Sequence, residues 1–131
     1  MTPSIEEATR LLRIAGRDIQ TFHILAGHPE ASQSALCFHA QQSVEKSLKA
    51  ILTLHGVAYP RTHNLEELAR MVEERSIALP VPARELRRLN PFAVEFRYDD
   101  EVIALITRED AGRYAAIVLS WAEEQVARTP T

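Results

Sequence analysis

The side chains best suited to chemistry fall in one short run. His39, Gln42, Lys46 and Lys49 follow one another at spacings of three, four and three. On a helix that spacing sets them along one stripe, and Gln41 and Glu45, four apart, share a neighbouring stripe. Two ammonium groups placed this way can hold phosphate oxygens, while the Gln42 amide can read the edge of a base. The same pattern equally describes the solvated side of an amphipathic helix, with Glu45 and Lys49 as a stabilising i,i+4 pair. Further along, Arg97 can grip a phosphate but cannot serve as a base at neutral pH.

Other candidates are weaker. His23, His28, His39, His55 and His63 show no His-Glu-x-x-His or other metal-ligand spacing, so no metal and no cofactor are expected. Asp99, Asp100 and Glu101 read as a solvated acidic loop rather than an ion site. Arg84, Arg87 and Arg88 form a small basic face, but Glu85 interrupts it and no aromatic residue interleaves. His63, just ahead of a helix start, is expected to pack or hydrogen-bond there. Cys37 lies among apolar neighbours and is read as an inert core thiol. The four glycines, Gly16, Gly27, Gly56 and Gly112, are too widely spaced for a phosphate loop, and there is no Gly-x-Ser-x-Gly elbow.

The elements that must position these groups are helices. Ile5, Ala8, Leu12, Ala15, Ile19 and Phe22 step by three and four. With Thr2 as cap and Pro3 in first position, they predict a helix over about 3–25. A connector, 26–33, carries Gly27 and Pro29. The next helix is expected to be the longest, with Cys37, Ala40, Val44, Ser47, Ile51 and Leu54 inward, widened by Leu36, Leu48 and Leu52. Gly56 ends it in a left-handed cap. Pro60 keeps the following loop extended.

Asn64 with Glu67 forms a capping box for a third helix, whose Leu65, Leu68 and Val72 face inward. Pro82 starts a fourth, with Leu86 and Leu89 inside, and Asn90-Pro91 is expected to interrupt it. One turn over about 91–96 and a loop through Asp100 follow. Thr107 with Asp110 opens the last helix, lined by Tyr114, Ile117, Val118 and Trp121 and fraying near Arg128. Little alternates with a period of two, so strands are not expected. The fold class is therefore all-α: an up-and-down antiparallel bundle of four main helices plus a short one, as a single domain over 1–131.

Composition bounds the partners. Hydrophobic residues are 46%, charged residues 25%, and the net charge is −3, the balance of a folded domain and not of a general nucleic-acid coat. One cysteine excludes an internal disulfide and fits a reducing compartment. No segment reads as a signal peptide or a membrane span, so a cytoplasmic location without membrane contact is expected.

The run Phe38-His39-Ala40-Gln41-Gln42, then Glu45-Lys46 and Leu48-Lys49-Ala50, then Pro60, Thr62-His63 and Leu65, resembles the signature of HEPN domains (higher eukaryotes and prokaryotes nucleotide-binding). Phe96-Arg97-Tyr98-Asp99 resembles the Arg-Tyr segment of many members. The resemblance spans about 5–126. It implies a four- or five-helix bundle that dimerises, here a homodimer. It further implies an association with a minimal nucleotidyltransferase in a toxin–antitoxin-like pair, and binding of nucleotide or RNA through Gln42, Lys46, Lys49 and Arg97.

Ribonuclease members carry an Arg followed four to six residues later by His. Here Tyr98, Asp99, Asp100, Glu101, Val102 and Ile103 follow Arg97, and no histidine occurs beyond His63. The non-catalytic reading is therefore preferred. A metal-independent endoribonuclease using Arg97 with His39 or His63 as substitute base is the alternative, and a structural partner that neutralises a toxin is the third. The matched motifs also suggest a Glu45–Arg97 pair. Tyr98 stands where some members are modified by the nucleotidyltransferase, though simple packing at the bundle edge is preferred. The apolar set Phe92, Phe96 and Trp121 is expected to exceed what one bundle hides and so to favour a partner.

Overall fold

The structure is a computed structural model that describes residues 2–93 and 106–130. Among these there are five helical segments of α type and no strand, the all-α bundle expected. α1 is Pro3–Ala26, α2 Gln33–Leu54, α3 Leu65–Glu73 and α4 Ala83–Leu86; α4 runs into a 3-10 helix, Arg87–Phe92, and α5 is Arg108–Ala127.

Each major start is chemically marked. The Thr2, Ser32, Asn64 and Thr107 side chains accept from the backbone N–H groups of Ile5, Ala35, Glu67 and Asp110, satisfying donors that a helix leaves open at its beginning. Gly56 ends α2 with φ +69°, a conformation glycine adopts without strain, and Val57 N–H returns to the Leu52 carbonyl at 2.9 Å. The box at α3 differs from expectation. Glu67 does not reach back to the Asn64 N–H; the Thr62 hydroxyl accepts that N–H at 3.0 Å and donates to Glu67 at 3.1 Å. Thr62, closer in sequence, wins the contact.

α2 is the central helix. It packs on α1, α5, α3 and the 3-10 helix, and 13 of its 22 residues are buried, so little of it is left to face solvent. α1, at 24 residues, is the longer of the two, against expectation. The reason is local: the Ser32 cap and Gly27 leave a connector of only six residues, 27–32, which also forces α1 and α2 antiparallel. Ser43 and Ser47 hydroxyls are buried on α2 without hydrogen-bond partners.

Asn90-Pro91 does not interrupt its segment. The chain passes through it as a 3-10 helix, where tighter i→i+3 bonding tolerates a proline near the end. Asn90 instead clamps two elements: its Oδ1 accepts the Leu65 N–H at 2.8 Å and its Nδ2 donates to Asn64 Oδ1 at 3.0 Å. The 3-10 end thus meets the start of α3, so the two run antiparallel. Phe92 is fully buried and offers nothing to a partner; Trp121 is half-buried. Ile117 points outward, because α5 turns Ala111, Tyr114, Ala115, Val118, Leu119 and Ala122 to the core. The turn expected over 91–96 lies in part, and Phe96 wholly, outside the described residues.

Candidate functional site

Three elements meet along the polar flank of α2. α1 supplies Asp18, α2 supplies His39 to Lys49, and the extended loop before α3 supplies Tyr59 and His63. An unbroken series of hydrogen bonds joins them. His39 Nδ1 lies 3.1 Å from Asp18 Oδ1, and Lys46 Nζ donates to Asp18 Oδ2 at 3.1 Å. Lys46 also donates to Gln42 Oε1 at 2.8 Å. Gln42 donates to Gln41 Oε1 at 2.7 Å, and Gln41 donates to Glu45 Oε1 at 3.0 Å. Glu45 then meets Lys49 Nζ at 2.9 Å and His63 Nδ1 at 2.8 Å. Carboxylates only accept, so both imidazoles carry their proton on Nδ1 and turn Nε2 away from the carboxylate.

Glu45 is the anchor. Its side chain is 6% exposed. Burial pushes its carboxyl pKa up, but the hydrogen bonds from Lys49, Gln41 and His63 outweigh burial and hold it below the usual range. Gln41 also donates to the His63 carbonyl at 3.2 Å, so α2 grips that residue by main chain and side chain together. The His63 ring itself is 66% exposed. Lys49 lies over the Tyr59 ring, 5.6 Å from its centre.

The stripe read from the sequence is thus one connected array, but its charges are already met. Lys46 faces Asp18 and Lys49 faces Glu45, the latter being the i,i+4 pair of the plain reading. Their side chains keep 22% and 17% exposure. An incoming phosphate must compete with two resident carboxylates. Sequence reasoning missed Asp18. Its signal was present: Leu11, Ala15, Asp18 and Phe22 fall in one inward register, and a carboxylate there needs a buried or half-buried partner.

Arg97, Tyr98, the proposed Glu45–Arg97 pair and the acidic loop Asp99 to Glu101 lie outside the described residues. Arg88 does not join Arg84 and Arg87 in a free basic face: it contacts Glu85 at 3.2 Å, the Tyr114 hydroxyl at 3.0 Å and Asp110 at 3.4 Å, tying the fourth segment to α5. Cys37 is buried, and burial raises its thiol pKa to about 11, an unreactive state. Among the described residues no group of three or more His, Cys, Asp or Glu is placed to hold a metal, and no helix is long and apolar enough to cross a membrane.

No curated protein and no solved structure matches the chain. The HEPN domain family matches residues 8–125, a span that contains the whole hydrogen-bonded array and the bundle that carries it. On that match, the chain belongs to the HEPN domain family.

Proposed function

We propose that this HEPN domain is a non-catalytic binding component. It takes nucleotide or RNA along the polar flank of α2, with Gln42, Lys46, Lys49 and Arg97 as the contacts. It forms a homodimer and works beside a nucleotidyltransferase-type partner in a toxin–antitoxin-like pair. The observation that carries the reading is the stretch after Arg97, Tyr98 to Ile103, which has no histidine to accept the proton of a 2′-hydroxyl. The paired lysines add a quantitative expectation. Because Asp18 and Glu45 offset them, affinity for RNA is modest and its salt dependence is shallow.

The test is fluorescence anisotropy with labelled single-stranded RNA, comparing wild type with Lys46→Gln/Lys49→Gln. Saturable binding that the variant weakens by about ten-fold supports the reading; equal binding, or none at low salt, refutes it.

One observation favours a second reading, a metal-independent endoribonuclease. His39 and His63 each hold a carboxylate at Nδ1, an arrangement that orients an imidazole for proton transfer at Nε2. RNA cleaved in the presence of EDTA, and spared by His63→Ala or His39→Ala, selects it. The third reading, a structural partner that buries a toxin's active site, is selected by a stable copurified complex lacking RNA affinity.

A further inference from the structure

We propose that the cavity between the last turns of α1 and the first turns of α5 is a second ligand site, built for a small organic anion: a phosphate monoester carrying an aromatic or apolar body. The cavity is a groove open to solvent, of about 350 Å³, a volume within the roughly 300–1,000 Å³ usual for small-molecule sites. It shares no residue with the flank of α2 and is independent of the function proposed for that flank.

Its apolar floor is the edge of Phe22, otherwise buried in the core and pressed so closely on Gly112 that a Cβ there would lie 2.7 Å from the ring. Glycine at 112 is what lets the phenyl lie on the α5 backbone. The His23 ring stands edge-on to Phe22, with centres 5.5 Å apart, and adds a polar group beside it.

The charged wall is Arg108. Its Nη2 donates to the Ala31 carbonyl at 2.8 Å and its Nε to Gln33 Oε1 at 3.2 Å. Gln33 is in turn fixed by donating to the Ile106 carbonyl at 2.9 Å. Both acceptors of the guanidinium are neutral. Arg108 is therefore held rigidly, no carboxylate among the described residues lies within salt-bridge distance of it, and only two of its five N–H donors are used in these bonds. Arg113 lines the cavity beside it but shares its charge with Asp110 at 2.8 Å. Glu109, exposed, is the one carboxylate in the lining. A fixed guanidinium with no carboxylate partner among the described residues, next to the edge of a phenyl ring, selects a ligand with both an anionic head and a flat apolar part.

The experiment is an NMR titration of amide resonances in the whole chain with phenyl phosphate, inorganic phosphate and benzyl alcohol as separate probes. Saturable shifts are expected at Ala26, Gly112 and Arg113, with phenyl phosphate binding about ten-fold more tightly than either half-probe. Arg108→Gln is expected to weaken it by about ten-fold. Because Arg108 also ties down the connector, Arg113→Ala serves as second variant, with a loss of several-fold. Shifts absent from these amides, phenyl phosphate no better than inorganic phosphate, or affinity unchanged in Arg113→Ala each overturn the proposal. Shifts confined to the amides of Gln42 to Lys49 do so too, while leaving the α2 reading intact.

Discussion

Replacing Glu45 by alanine tests the array at its anchor. The carboxylate is 6% exposed and accepts from Gln41, Lys49 and His63. Removing one partner of a fully buried ion pair costs about 3–5 kcal/mol. Here Lys49 and His63, 17% and 66% exposed, can turn to water, whereas Gln41, fully buried, loses one of its two acceptors and keeps the His63 carbonyl and the Gln42 amide. A loss of about 2–3 kcal/mol follows, or a melting temperature lower by roughly 10 °C for a domain of this size. Glu45→Gln keeps the shape and removes the charge, costing about 1–2 kcal/mol.

The pH dependence has a definite sign. Glu45's folded pKa lies below its unfolded value, so its contribution is complete above the unfolded value, about 4.3, and is lost as pH falls through the folded one. Urea unfolding should therefore show wild type and Glu45→Gln far apart at pH 7 and converging below about pH 4. A Glu45→Ala variant within about 0.5 kcal/mol of wild type, or a gap that does not change with acid, would refute the reasoning.

Three further outcomes follow from single residues. Ser76 sits at φ 60°, where side chains other than glycine are strained, so Ser76→Gly should raise stability by about 1 kcal/mol in urea unfolding. Ser47's hydroxyl is buried and unpartnered, so Ser47→Ala should be neutral or stabilising by up to about 1 kcal/mol, a reversal of the usual core result that calorimetry can read. Cys37, with its thiol pKa near 11, should resist alkylation in the folded chain at pH 8 and react fully in denaturant, as mass spectrometry will show.

Much of the bundle was legible because capping and periodicity are local. Thr2, Asn64 and Thr107 announced their helices, and Gly56 its stop, through bonds made within a few residues. What the sequence hid is long-range. Asn90-Pro91 looked like a break, yet Asn90 bonds residues 25 and 26 positions away. Ile117 fitted a helical stripe, but the rotation of α5 about its axis is set by packing on α2, which turned it outward.

The site followed the same division. Glu45 with Lys49 is an i,i+4 pair and could be read directly. Asp18, 28 residues from Lys46, could be suspected only from a carboxylate in an apolar register. That one residue changes the chemistry, because it turns an apparent row of free cations into a nearly neutral array.

The central claim, binding without cleavage, is tested most directly by mixing the chain with end-labelled single-stranded RNA and EDTA across pH 6–8, then resolving bound fraction and fragment length on parallel gels. The account predicts a shifted band with the RNA full-length at every pH. Fragments that accumulate with time, and vanish in Arg97→Ala, would contradict it.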